Sequence, residues 1–287
     1  MLKQRIITAL VLLAILLPAL FYPSPFPFAA VTLVLIAAGA WEWGRLNGLG
    51  HGGSLVVAIA CLALCGASWQ ADLIDRKLPM LWNFAGAAWV LAGAWLLRGG
   101  VAGWPRIPRA VRLVLGVLAL WVAWLAVAQA RFLGVNFLLS VLVLVWVADV
   151  FAYFAGRTFG LKFTSNKLAP AISPGKSWEG VWGGMLGVLV LGACWVLADA
   201  RMAADVPSLY TRLALRGWWV LAIGVVFLAA MSVVGDLVES LIKRSAGAKD
   251  SSNLLPGHGG VLDRIDALLP TLPLAMMLTS QTAPLLL

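Results

Sequence analysis

Long apolar runs constrain this chain more than any other feature. A helix that crosses a bilayer needs about 20 mostly apolar residues, and runs near that length recur throughout the sequence. Only 11% of the 287 residues are charged, against about 25% in a soluble domain, so lipid must cover much of the surface. We therefore expect an all-α, polytopic membrane protein. The predicted spans are 6–22, 28–45, 54–70, 80–97, 112–130, 135–155, 181–199, 217–240 and 266–284.

The distribution of positive charge predicts the orientation of these nine spans. With a cytoplasmic N-terminus, fifteen of the 21 Lys and Arg residues fall in cytoplasmic loops, the asymmetry that membrane insertion favours. We expect an uncleaved first span and a location in the cell inner membrane. The net charge of +9 fits contact with anionic lipid heads. No basic stripe with interleaved aromatic residues occurs, so nucleic acid is not an expected partner.

The two halves of the chain differ in polarity. Residues 1–133 hold about five spans with almost no ionisable side chain inside them apart from Glu42. Residues 134–287 hold the remaining spans and two long, charged, glycine-containing loops at 156–180 and 241–265. We therefore expect the catalytic region in the second half, with its loops facing the cytoplasm.

A carboxylate within a span is the first candidate. Asp149 lies in the apolar run 141–154, where an ionised group costs several kcal/mol unless it is paired or reaches water. We predict a functional role for it. The alternative is a structural ion pair with Arg157 near the end of the same span.

The loop before the seventh span is the second candidate. It places Ser173, Lys176, Ser177 and Glu179 beside a predicted helix N-terminus. Exposed backbone N–H groups and the helix dipole favour anions there, which indicates phosphate binding. A simple capping turn explains the same residues equally well.

The third candidate is the most charged segment. Asp236, Glu239, Ser240 and Lys243 fall at positions i, i+3, i+4 and i+7, so they share one helical face. Such a stripe is incompatible with lipid and predicts a polar cavity where the eighth span ends.

Two aspartates one turn apart, Asp263 and Asp266, follow a Gly-His-Gly-Gly stretch. Carboxylates from separate elements are the ligands that Mg²⁺ prefers together with substrate phosphate oxygens, and Asp236 with Asp263 would supply them. The nearby Lys and Arg residues could neutralise phosphates. His258 is either a base or phosphate ligand, or a structural loop residue. The alternative for the whole segment is helix-capping aspartates plus a basic loop on lipid heads.

From Ser240 to Asp266 the sequence resembles the phosphatidate cytidylyltransferases, also called CDP-diacylglycerol synthases. The shared pattern is Ser-x-apolar-Lys-Arg, four residues, Lys-Asp, a spacer, then Pro-x-His-Gly-Gly-apolar-x-Asp-Arg-apolar-Asp. The resemblance extends upstream to Asp149, Tyr153, Gly156-Arg157 and the run 173–177, and to the opening residues 2–8. Spans two to five share only general hydrophobicity.

The resemblance implies transfer of CMP from CTP to phosphatidate with Mg²⁺, a second cation being left open. It implies that Asp236 and Asp263 are the metal ligands, and a homodimer is left open. The candidate catalytic residues are Asp236, Lys243, Arg244, Lys249, Asp250, His258, Asp263, Arg264 and Asp266. The candidate residues for binding CTP or phosphate are Asp149, Arg157, Ser173, Lys176, Ser177, Glu179 and Ser240.

This chemistry suits the residues, because the phosphate of phosphatidate is already ionised near neutral pH and no activated side-chain nucleophile is required. We expect in-line displacement driven by positioning and charge neutralisation. Two alternatives stay open at this point. One is a CTP-dependent lipid kinase, which would transfer the γ-phosphate. The other, from a different class, is a small-solute or ion transporter, although transporters more often place polar groups at midplane.

Overall fold

The computed structural model describes residues 2–280, and every regular element in that range is helical. A short 3-10 turn at Trp104–Arg106 links the fourth and fifth helices. The helices are α1 Leu2–Phe21, α2 Phe26–Leu46, α3 His51–Gln70, α4 Pro79–Gly103, α5 Arg109–Leu133, α6 Val135–Phe159, α7 Trp178–Arg201, α8 Leu209–Ala214, α9 Trp218–Ser245, α10 Leu262–Ile265 and α11 Leu268–Ser280.

Eight of the described helices are long and apolar enough to cross a membrane, and each coincides with one of the first eight predicted spans. The all-α, polytopic membrane fold is therefore confirmed. The ninth predicted span, 266–284, contains α11, whose described residues run from Leu268 to Ser280. Residues 281–284 of that span lie outside the described residues. The six-residue helix α8 was not predicted, because it is too short to produce a periodic pattern.

Successive long helices run in opposite directions, so the bundle has two ends. At one end, which we call the site end, α1 begins beside the loop 241–265: Arg5 Nε donates to the Gly257 carbonyl at 2.9 Å. At the other end, the far end, Arg131 on α5 donates to the Leu20 carbonyl at 2.8 Å, where α1 finishes. The N-terminus and the loop 241–265 therefore share one end, as the predicted orientation requires. Which compartment this end faces stays a prediction.

Helices α6 and α7 pack with their backbones nearly in contact. A Cβ atom on Gly184 would lie 2.8 Å from the Ala148 carbonyl oxygen. This is too close for any side chain, so the position requires glycine. This close approach brings Asp149 on α6 beside the loop that leads into α7.

Large aromatic side chains fill the interior and anchor the far end. Trp124 and Tyr210 are fully buried. The Trp124 indole donates to the Ala29 carbonyl at 3.1 Å, and the Tyr210 hydroxyl donates to the Ser140 carbonyl at 2.9 Å. Buried polar tips thus keep a partner in a region where water is absent, and α8 is fixed to α6.

Candidate active site

The centre of the candidate site is Asp236, on the polar face of α9. Its carboxylate forms an ion pair with Lys176 Nζ at 2.6 Å and accepts a hydrogen bond from Ser240 at 3.2 Å. Lys176 belongs to the loop before α7, so this pair joins two segments that are 60 residues apart in the sequence. About a third of the Asp236 side chain remains exposed, which leaves room for a ligand.

Lys243, two turns further along α9, is more deeply buried. Its ammonium bonds Asp263 at 2.5 Å and forms an ion pair with Glu239. Only 12% of the Lys243 side chain and 5% of the Asp263 side chain are exposed. The polar stripe predicted on α9 therefore faces protein partners, and Lys243 connects it to the turn that carries Asp263.

Asp263 is held by several donors besides Lys243. Its second carboxylate oxygen accepts the Ser251 N–H at 2.9 Å, the Ser251 hydroxyl at 3.0 Å and the Gly260 N–H at 2.8 Å. Burial alone would raise the pKa of Asp263, but the bonds from Lys243, Gly260 and Ser251 outweigh it, so the pKa lies below its ordinary value. Asp263 is therefore a fixed anion.

Asp266 and Asp149 complete the cluster. Each lies close enough to Asp236 and to Lys176 to interact with them electrostatically. We call the following seven residues the charged cluster: Asp149, Lys176, Asp236, Glu239, Lys243, Asp263 and Asp266. Three separate parts of the sequence, all predicted to carry function, thus converge at the site end.

Two predicted phosphate ligands instead hold local structure. The Ser177 hydroxyl accepts the Gly180 N–H at 3.2 Å and caps α7, so the capping alternative accounts for it. Glu179 accepts bonds from the Phe163 and Thr164 N–H groups and from the Thr164 hydroxyl. Its buried carboxylate therefore fixes the loop at 163–164 and does not join the charged cluster.

The proposed ion pair between Asp149 and Arg157 does not form in the described residues. Arg157 donates instead to the Tyr153 hydroxyl at 2.9 Å, one turn earlier on α6. Asp149 is left to interact with Lys176 and Asp236, which favours the functional interpretation of this carboxylate.

The remaining candidates surround the cluster. Ser173 occupies the turn before Lys176, where its N–H donates to the Ala169 carbonyl, and Arg244 Nε lies 3.4 Å from the Ile172 carbonyl. The Nδ1 atom of His258 is buried and has no hydrogen-bond partner, while the His258 N–H donates to Leu255. Among the candidates outside the charged cluster, five are exposed at the site end: Arg157, Arg244, Lys249, Asp250 and Arg264.

Glu42 on α2 is a site residue that the sequence interpretation missed. Its side chain is fully buried. One carboxylate oxygen accepts the Ser252 hydroxyl at 2.5 Å and the Val261 N–H at 2.9 Å. The other accepts the Ser251 hydroxyl at 3.1 Å and the Leu262 N–H at 2.8 Å. The rule that singled out Asp149, a carboxylate within a span, applies to Glu42 equally and could have found it.

The contacts of Glu42 explain part of the Gly-His-Gly-Gly pattern. A Cβ atom on Gly260 would lie 2.5 Å from the Glu42 carboxylate and would also collide with the Ser251 hydroxyl. Glycine is therefore required for Glu42 to reach the backbone of the loop. The Ser251 hydroxyl lies within hydrogen-bond distance of both Glu42 and Asp263 and can donate its single proton to either one. It therefore links the N-terminal and C-terminal halves of the chain.

The opening residues of the chain also contact this loop. Thr8 donates to the Pro256 carbonyl at 2.9 Å, beside the bond from Arg5 to Gly257. The start of α1 thus braces the outer side of the loop, while Glu42 braces its inner side. This contact gives a structural reason for the resemblance noted at residues 2–8.

The charged cluster has the donor chemistry for a hard cation. Carboxylate oxygens from α9 and from the turn at 263–266 are the type that Mg²⁺ prefers. Among residues 2–280 no three His, Cys, Asp or Glu side chains converge as a ready-made metal site; Asp236 and Asp263 pair with lysines. Five carboxylates nevertheless face two ammonium groups in the cluster, so the residues fit a divalent cation that also binds substrate phosphates.

Comparison with known proteins identifies the family. The sequence matches the cytidylyltransferase family over residues 3–281. It is 41% identical over 282 residues to a phosphatidate cytidylyltransferase of Pseudomonas aeruginosa, covering 95% of each chain. It is 35% identical to that of Haemophilus influenzae, over 95% of this chain and 96% of the relative. Identity to the Brucella abortus enzyme is 34%, over 93% and 89%. The chain is a member of the cytidylyltransferase family.

Proposed function

We propose that this protein is a phosphatidate cytidylyltransferase, which transfers CMP from CTP to phosphatidate and releases pyrophosphate to give CDP-diacylglycerol. The similar proteins from three bacteria carry that name and are matched over nearly their whole length. One structural observation supports the proposal most strongly. The loop before α7, the end of α9 and the turn at Asp263 gather their charged side chains at one end of a membrane bundle.

The residues of the cluster suit a reaction between two anions. Lys176 is the more accessible of the two lysines in the charged cluster, with 25% of its side chain exposed, and we assign it to the phosphates of CTP. The exposed cations Arg244, Lys249 and Arg264 surround the same end and would neutralise further phosphate charge. The nucleophile is a phosphate oxygen of the lipid, so no covalent enzyme intermediate is required.

We assign Asp236 and Asp263 as the residues that hold Mg²⁺. The bound ion would neutralise the triphosphate and the developing charge of pyrophosphate. The lysines set the geometry before binding: Lys243 fixes Asp263 at 2.5 Å and Lys176 fixes Asp236 at 2.6 Å. Both aspartates are thereby held in place and aimed into the cluster.

We further propose that the site end faces the cytoplasm from the inner membrane. The N-terminus and the loop 241–265 share that end, and positive loops are retained on the cytoplasmic side during insertion. Water-soluble CTP would then meet the lipid head group at the membrane surface.

Doubly labelled CTP tests this proposal. Purified protein is given phosphatidate, Mg²⁺, and CTP that carries tritium in cytidine and ³²P at the γ-position, and lipid is extracted. The proposal predicts tritium in the lipid and ³²P only in pyrophosphate. Label from the γ-position in the lipid would indicate a lipid kinase. Ligand-dependent flux into liposomes with no labelled lipid would indicate a transporter.

A further inference from the structure

An apolar groove runs behind the charged cluster, between the two halves of the chain. It has a volume of about 400 Å³, within the range of about 300–1,000 Å³ usual for ligand pockets. Helices α2, α4, α5, α9 and α11 and the start of α10 line it. Arg112 and Glu239 are its only charged lining residues within the described part of the chain, and the others are aliphatic, glycine or tryptophan.

One side of the groove is open to the lipid-facing surface. Trp95 on α4 and Leu115 on α5 line it and are 62% and 56% exposed. The opposite wall is buried: Leu120, Val238 and Leu262 are at most 5% exposed. A molecule dissolved in the bilayer can therefore enter sideways, whereas a molecule dissolved in water would have to cross an apolar surface.

The inner wall of the groove is continuous with the charged cluster. Glu239 lines the groove and forms an ion pair with Lys243. Leu262, the residue before Asp263, also lines the groove, and its N–H donates to the Glu42 carboxylate. At the same end the Arg112 guanidinium lies over Trp104, 5.6 Å from the ring centroid, and the buried Arg112 Nε has no hydrogen-bond partner. The groove thus ends at an unpaired donor that an anionic group would satisfy.

The chemistry of the groove favours a lipid as its occupant. Its α5 wall runs from Val111 to Val122, eleven residues or about 16 Å at 1.5 Å per residue. The groove is apolar along this wall, opens to the lipid-facing surface beside Trp95, and ends at the unpaired Nε of Arg112. This arrangement matches a molecule with an apolar tail and an anionic head.

We propose that this groove binds an acyl chain of the lipid substrate and that Arg112 faces its phosphate. The identification of that lipid as phosphatidate rests on the proposed function. The groove would let the lipid slide from the bilayer into line with Lys243 and Asp263 while its tail stays in an apolar environment. Helices α4 and α5, which showed only general hydrophobicity in the sequence, would then select and orient the lipid.

Photolabelling tests the groove without requiring turnover. Phosphatidate with a diazirine near the end of one acyl chain is added to the protein in phosphatidylcholine vesicles and irradiated. The proposal predicts label on α4 and α5 at residues that line the groove. Unlabelled phosphatidate should compete for this labelling, and added phosphatidylcholine should not. Equal competition by phosphatidylcholine would show that only bulk lipid fills the groove and would overturn the proposal.

Variants that fill the groove supply the matched controls. Ala119→Phe on α5 and Ala88→Phe on α4 both place a ring in the groove. Ala94→Phe adds the same ring at an exposed position of α4 that does not line it. The first two should reduce the labelling at least about threefold, and the third should leave it unchanged. Unchanged labelling in both groove variants, or equal loss in all three, would contradict the proposal.

Kinetics separate this inference from the proposed function. Ala119→Phe should raise KM for dioleoyl phosphatidate by roughly fivefold, a modest factor because a lipid tail that leaves a bilayer gains only packing. KM for dihexanoyl phosphatidate should not change, since its short chains end before Ala119, and KM for CTP should not change either. If the wild type labels as described yet forms no CDP-diacylglycerol, the proposed function fails and the groove stands. An equal rise in KM for both lipids would contradict binding of the acyl chain in the groove.

Discussion

Two buried carboxylates, Glu42 at the site end and Asp199 at the far end, are held in nearly the same way. Asp199 accepts the Asn136 amide at 2.9 Å, the Ser208 N–H at 3.0 Å and the Thr211 hydroxyl at 2.6 Å. Glu42 accepts two hydroxyls and two backbone N–H groups. Each of the four carboxylate oxygens of these two residues accepts at least one hydrogen bond, which offsets the loss of water on burial.

The two carboxylates differ in the segment of the chain that supplies their hydrogen-bond donors. Asp199 fixes the start of α8, which packs on α6 and carries none of the candidate residues. Glu42 fixes the loop 251–262, whose Ser251 also bonds Asp263. Two carboxylates that are both buried and both hydrogen-bonded therefore have different roles: Asp199 is structural and Glu42 positions the site. The predictions below test that distinction, beginning with the largest expected effect.

Glu42→Gln should lower kcat about 100-fold, the loss expected when a reacting group is displaced by about 1 Å. Each Glu42 oxygen accepts one backbone N–H, so the amide NH₂ must face an N–H in either orientation. The loop will shift to relieve this clash and will move Ser251 and Asp263 with it. Steady-state assays should show a fall in kcat that exceeds any change in KM for CTP.

Asp199→Asn is the matched control at the far end. The new amide NH₂ group faces hydrogen-bond donors, as in Glu42→Gln. The variant should therefore lose about 2 kcal/mol of unfolding free energy, and its Tm in detergent should fall by about 5 °C. The folded fraction should keep kcat within about twofold of wild type, because the affected helix is remote from the site. If Asp199→Asn reduced kcat as much as Glu42→Gln at matched folded fraction, the positioning role of Glu42 would be wrong.

Ser251→Ala and Ser252→Ala divide the contribution of Glu42 between its two hydroxyl partners. Ser251 bonds both Glu42 and Asp263, whereas Ser252 bonds Glu42 and the Leu254 N–H. We expect about a tenfold loss of kcat for Ser251→Ala and about threefold for Ser252→Ala, since hydrogen bonds to charged groups contribute about 1.5–3 kcal/mol and only part reaches the site. If Ser252→Ala lowered kcat more than Ser251→Ala, Glu42 would not act on the site through Asp263.

Arg5→Gln and Thr8→Val test the outer brace of the same loop and should have the smallest effects. Both side chains bond backbone carbonyls at an exposed surface, where a hydrogen bond contributes about 1 kcal/mol or less. Each variant should lower kcat by roughly two- to threefold, and protease cleavage near Gly257 should become faster. An effect as large as that of Glu42→Gln would mean that α1, rather than α2, sets the position of the loop.

Most of the fold was predictable because hydrophobic length alone determines a membrane helix. The eight long helices follow the predicted spans for that reason. The short helix α8 was not predicted, since its six residues gain their stability from Tyr210 and Asp199 rather than from a periodic pattern. The ninth predicted span contains α11, which is helical from Leu268 to Ser280, the last residue that the structure describes.

The candidate site was predictable where its residues are close in sequence. Asp236, Ser240 and Lys243 share a face by helical periodicity, and Ser240 donates to Asp236 on that face. Contacts between distant segments could not be derived from spacing. Glu42 lies 209 residues before Ser251, and nothing local to either residue indicates that they meet. Glu179 was assigned to phosphate binding because it lies beside a predicted helix N-terminus, but its carboxylate instead accepts the N–H groups of Phe163 and Thr164.

The transfer of cytidine label from CTP to phosphatidate by Asp263→Asn protein tests the central claim most directly. Asp263 lies where Lys243, Ser251 and Gly260 converge, and the asparagine has nearly the same size. The account predicts a loss of labelled CDP-diacylglycerol of at least about 1,000-fold at matched folded fraction, with membrane insertion preserved. Label appearing in the lipid at close to the wild-type rate would contradict it.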